Sequence, residues 1–87
     1  MLTSSEKEKI IKEYKLHDKD TGSAEVQIAV ITEEIKRLLS HLKKNPKDSH
    51  SRRGLLKMVV KRKRLLNYLM NEDERRYKKI LKKIEKE

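Results

Sequence analysis

The sequence predicts an all-α protein, on three observations. Apolar residues recur every three or four positions in separate stretches, the spacing of one helix face. Short runs of turn and cap formers at 17–23 and 45–50, and again near Asn71, divide those stretches. Two Gly, one Pro and no Phe or Trp suit helices better than a β-core. The expected architecture is four helices, three packed antiparallel with a less tightly packed N-terminal helix. At 87 residues the chain is expected to form a single domain, 1–87.

The first helix is expected at about 3–16. Thr3 and Glu6 have capping-box spacing. Ile10, Ile11 and Tyr14 offer only a narrow apolar strip, so this helix should be the least stable element. The loop 17–23, HDKDTGS, follows. Ser23 suits the next N-cap, with Glu25 in the first turn. Thr21 and Gly22 also suit close approach by a phosphate or a backbone.

The second helix is expected at 24–44. Ile28, Ile31, Ile35, Leu38 and Leu42 form its core stripe. Gln27, Glu34 and His41 lie seven apart and line up beside that stripe. Pro46 ends the helix, and the short connection makes the second and third helices antiparallel. Positions whose numbers sum to about 95 then lie level. Gln27 pairs with Tyr68 and Glu34 with Lys61, while His41 sits near the loop beside Asp48 and Ser51.

The third helix, about 50–70, organises the chain. Residues 51–70 hold seven Lys or Arg and no Asp or Glu, out of a net charge of +10. Leu55, Met58, Val59, Leu65, Leu66 and Leu69 fall on one side at 100° per residue. Arg53, Lys57, Lys61 and Arg64 fall on the other, and Tyr68 continues their line. Arg62 falls on the apolar side and must snorkel. The fourth helix, about 73–86, is expected to be capped by Asn71 and Glu74 and to bury Tyr77, Ile80, Leu81 and Ile84.

Composition narrows function. Charged residues make up 44% of the chain and the pI is near 9.9, which points to an anionic partner. There is no Cys, which suits a reducing, cytoplasmic setting. No apolar run approaches the roughly 20 residues that cross a membrane, and the apolar helix face is needed for the core, so no membrane partner is expected. Asp48, His50 and Ser51 are a hydrolase triad's residue types, but they lack a nucleophile elbow. His17, His41 and His50 lack metal-ligand spacing. No enzyme activity, metal or cofactor is expected. A flat helical hairpin is poorly shaped for the major groove of DNA. Short polar groups such as Thr21, Gln27, His41, Asp48 and Ser51 suit the shallow minor groove and unstacked bases of RNA. A helical interaction module for an acidic protein or DNA is the alternative.

DTGSAEVQIA at 20–29, His41, KDSHSRRGLLKMVVKRKRLLNYL at 47–69 and ERRY at 74–77 resemble the bacterial small-subunit ribosomal protein S-fifteen family. The resemblance implies a structural constituent of the cytoplasmic ribosome that is a monomer when free. Its implied partners are the central domain of small-subunit ribosomal RNA and other small-subunit proteins, with its own messenger RNA a further candidate. It implies junction contacts at Thr21, Gly22, Gln27 and Tyr68. At the minor groove of an adjoining helix, at a G·U/G·C step, it implies His41, Asp48 and Ser51. Arg53 and Arg64 suit phosphate contacts from the basic line. Glu34 departs from the family, whose members often carry Arg there, and is left out of the site.

Overall fold

The computed structural model describes residues 2–15 and 22–85, the side chain of Glu85 excepted. Four helices follow in order: α1 (Ser4–Tyr14), α2 (Ala24–Lys44), α3 (Ser49–Glu72) and α4 (Glu74–Glu85). The helix α2 is central, with α1 and α3 packed on it and α4 packed on α3. The 24 residues of α3 span about 36 Å at 1.5 Å each, close to the 40 Å length of the molecule.

The core follows the stripe of α2. Val26, Ile28, Ala29, Ile31 and Ile35 are buried, with Leu69 of α3, Ile80 of α4 and Tyr14 of α1. Leu65, Leu66, Tyr77 and Ile84 pack around the part of this core nearest α4. The capping box of α1 forms as its spacing demands. The Glu6 N–H donates to Thr3 Oγ1 at 3.2 Å, and the Thr3 N–H donates to Glu6 Oε1 at 3.1 Å. The narrow strip of α1 is what docks it, through Tyr14 and the half-buried Ile10 and Ile11. Arg37 of α2 also pairs with Glu6.

Four details differ from the sequence expectation. Val59 is 46% exposed rather than core-facing. It lies at the margin of the apolar arc, where α2 and α4 leave it uncovered. The cap of α4 is Asp73, not Asn71 with Glu74. The N–H groups of Arg75 and Arg76 donate to Asp73 Oδ1 at 3.1 and 3.2 Å. Helix α3 simply runs on through Asn71, so that side chain is still inside a helix. The chain of α1 turns extended at Lys15, one residue after the helix ends at Tyr14. Arg62 buries its stem as expected, but its Nε is enclosed with no hydrogen-bond partner.

The feature that sequence reasoning missed is a buried bidentate ion pair. Arg76 Nε and Nη2 donate to the two carboxylate oxygens of Glu25 at 2.6 and 2.5 Å. Glu25 is 5% exposed, and its carboxylate holds the Arg76 guanidinium charged more firmly than usual. This pair fastens the start of α4 to the first turn of α2. Removing Arg76 alone would strand a buried carboxylate. Arg76→Met should therefore cost roughly 2–3 kcal/mol of stability, less than a fully enclosed pair because Arg76 keeps part of its surface in water. Glu25→Leu combined with Arg76→Met should recover most of that loss; urea denaturation of the single and double variants measures both.

Candidate nucleic-acid interface

The tip at the α2–α3 loop is built by the loop itself. Asn45 stops α2 in a non-helical conformation, and its N–H and Nδ2 both donate to the His41 carbonyl, at 2.9 and 3.2 Å. The Asp48 N–H closes a tight turn onto the Asn45 carbonyl at 3.1 Å. The Arg52 guanidinium reaches back to the Pro46 carbonyl. A turn tied from both sides fixes where Asp48 stands.

Asp48 is the N-cap of α3. Its Oδ1 accepts from the Ser51 N–H at 3.0 Å, and its Oδ2 accepts from Ser51 Oγ at 2.7 Å. The same Oδ2 meets His41 Nε2 at 2.8 Å. These bonds hold the Asp48 carboxyl well below the usual carboxylate range, with the His41 bond the largest cause and the two Ser51 bonds next. An ionised carboxylate can only accept, so Nε2 of His41 carries the hydrogen. Nδ1 is then the acceptor of the neutral ring. Ser51 Oγ has spent its hydrogen on Asp48 and keeps lone pairs. Of about four acceptor directions on a carboxylate, Asp48 uses three. The tip therefore offers outward acceptors and no outward side-chain donor from these three groups while His41 is neutral.

This is not a hydrolase relay. The serine and the imidazole both bond Asp48 and not each other, and His50 is exposed on the first turn of α3. Among the described residues no group of three or more His, Cys, Asp or Glu could hold a metal ion, and no helix is long and apolar enough to cross a membrane.

The opposite tip gathers around the start of α2. Ser23 caps the helix, with its Oγ accepting from the Val26 N–H at 3.2 Å. Gln27 folds back so that its Nε2 donates to the Gly22 carbonyl at 2.8 Å, which leaves its Oε1 as an acceptor. Among the described residues other than its chain neighbours, no atom lies within 4 Å of where a Cβ on Gly22 would stand. Tyr68 is 57% exposed and lies within electrostatic reach of Arg76, which grips Glu25. Tyr68 is thus at the same end as the first turn of α2. Thr21 lies outside the described residues.

Between the tips runs the basic wall of α3. Arg53, Lys57, Lys61 and Arg64 are exposed. Among the described residues, no Lys or Arg of α3 takes part in an ion pair; the acids pair with cations of α2 and α4 instead. Gln27, Glu34 and Lys61 line one shallow cavity together with Lys7 and Ile11 of α1. The polar line of α2 and the basic line of α3 therefore share a face. Glu34 and Lys61 are level as expected, but no ion pair within 4 Å joins them among the described residues, so Lys61 keeps its charge for the outside.

A cationic helical wall between two hydrogen-bonding tips defines a small basic protein with a polyanion-facing side. The chain belongs to the ribosomal protein S15 family, whose model matches residues 7–87. A relative in Oceanobacillus iheyensis is 59% identical over 83 residues, covering 95% of this chain and 93% of its own. One in Caldanaerobacter subterraneus is 56% identical over 85 residues, covering 98% and 97%. One in Crocosphaera subtropica is 51% identical over 83 residues, covering 95% and 93%. All three carry the name small ribosomal subunit protein uS15.

The depressed Asp48 carboxyl gives a pH dependence whose sign is fixed. A carboxyl lowered on folding contributes stability above its unfolded value, near 3.8, and loses it progressively as pH falls below that. Wild type should melt higher than Asp48→Asn at neutral pH. That difference should shrink steadily below about pH 4. Melting temperatures of both proteins from pH 7 to pH 2 measure it.

Proposed function

We propose that this protein is a structural constituent of the small ribosomal subunit that binds the central domain of its RNA at two separated places. The observation that carries this reading is the acceptor-rich tip that Asp48, Ser51 and the neutral form of His41 present. Acceptors repel phosphate oxygens but suit donors. The minor groove of an RNA helix offers two kinds of donor, the guanine amino group and the 2′-hydroxyl. Any guanine-containing pair presents both; that the loop tip reads a G·U/G·C step in particular is what the family resemblance implies.

The other tip suits a three-way junction, where bases are unstacked and backbones crowd together. Tyr68 gives such a base a face to stack on. Gly22 and Thr21 let a sugar–phosphate chain come close, and Gln27 supplies an oriented acceptor. Arg53, Lys57, Lys61 and Arg64 neutralise phosphates between these points. The protein then acts by geometry. It favours the junction conformation that presents both places at once, by the difference in its affinity for that conformation over others. The family membership and the relatives' names support the ribosomal setting.

The test is binding to a small-subunit ribosomal RNA fragment containing the junction and the adjoining helix. Tyr68→Ala should weaken binding by about 1–3 kcal/mol while shifting stability by no more than about 0.5 kcal/mol, because the ring is exposed. His41→Ala should blunt discrimination against an altered G·U/G·C step; equal discrimination by both proteins would sink the assignment of that tip. Arg64→Ala should lower the log–log salt slope by about 0.7–0.9, the value of one phosphate contact.

A further inference from the structure

Two aliphatic side chains stand uncovered inside the basic wall of α3. Leu56 is 66% exposed and Val60 49%. They lie one turn apart, and with Lys57, Lys61 and Arg64 they line a shallow groove of about 480 Å³. Around the helix, Val60 falls within roughly 40° of both Arg53 and Arg64, at 100° per residue. Single exposed aliphatics need no explanation. These two are neighbours, ringed by three cations, and no acid lines their groove.

That combination says what the groove can hold. A second copy of this chain would set three cations against three cations. A neutral apolar partner would strip water from those charges without compensation. A nucleic-acid strand meets both requirements, because its phosphates alternate with sugars whose C–H faces are apolar. Four residues of helix rise about 6 Å, comparable to the step between successive phosphates along a strand. We infer that the groove takes the sugar face of an RNA strand running between the two tips. Lys57, Lys61 and Arg64 neutralise its phosphates, and Leu56 and Val60 pack on the riboses between them. This rests on the RNA-binding function proposed above. It adds that the strand between the tips is held by its sugar faces as well as its phosphates, so that part of the affinity there is not ionic.

Salt separates the two kinds of contact. Ionic contacts weaken as salt rises, through counterion release, whereas apolar contacts do not. Wild type, the double variant Leu56→Ser with Val60→Ser, and Lys57→Ala are titrated with the junction RNA fragment over a series of salt concentrations. The double variant should bind roughly tenfold more weakly at every salt concentration, the value of withdrawing two half-exposed aliphatic side chains from a contact. Its salt slope and melting temperature should match wild type. Lys57→Ala should instead lower the slope by about 0.7–0.9. If wild type binds and the double variant binds within twofold of it, the groove is not an RNA contact and the inference falls alone. If the double variant binds naked RNA normally but fails to enter particles with other small-subunit proteins, the groove belongs to an acidic protein, which also overturns it. If wild type itself ignores the RNA, the proposed function falls with it.

Discussion

One carboxylate sets the alignment on which the rest of the molecule depends. Asp48 begins α3 by capping it and accepts a hydrogen bond from His41 near the end of α2. The apolar stripe of α2 supplies the driving force for packing, but oily side chains tolerate small slips. A fixed cap does not. One residue of slippage turns a helix by about 100°, enough to carry the basic wall of α3 away from the polar line of α2. The bonds that align the hairpin also occupy most of the acceptor capacity of Asp48, so alignment and the chemistry of the tip come from the same atoms.

Charge is distributed with the same economy. The acids Glu6, Glu25, Glu33 and Glu74 are paired with Arg37, Arg76 and Lys78, all on α2 and α4. The cations of α3 are left without ionic partners among the described residues. A helix carrying so many like charges repels itself. Its stability must come from packing on α2 and α4, and its charge is available to neutralise something else. Packing and unpaired charge are in this way assigned to opposite sides of one helix.

The helices were legible from the sequence because their information is periodic and local. The stripe from Ile28 to Ile35, the Ser23 cap and the break at Pro46 each act over a turn or two. The shared face of Gln27, Glu34 and Lys61 was legible because antiparallel helices obey simple arithmetic. The Glu25–Arg76 pair was not legible. Its partners lie 51 positions apart, and Glu25 already had a sufficient local reason to sit in the first turn of a helix. Val59 was misjudged for a related reason. A helical wheel gives the direction of a side chain but not whether a neighbouring helix is there to cover it. The hairpin arithmetic already put His41 beside Asp48 and Ser51, but which of their atoms bond required coordinates.

The uninterrupted helices that separate the two tips have a further consequence. Ser51 and Tyr68 are joined by continuous α-helix, so their spacing comes in fixed increments. Adding one residue would lengthen the span by about 1.5 Å and also swing one end by about 100°. An insertion of about seven residues, matched in α2 and α3, is the shortest that returns both ends to within about 20° of the same side, and it lengthens the span by about 10 Å. The protein is thus a gauge of one size, and drift in the separation of the two RNA sites proposed above would have to be absorbed by the RNA.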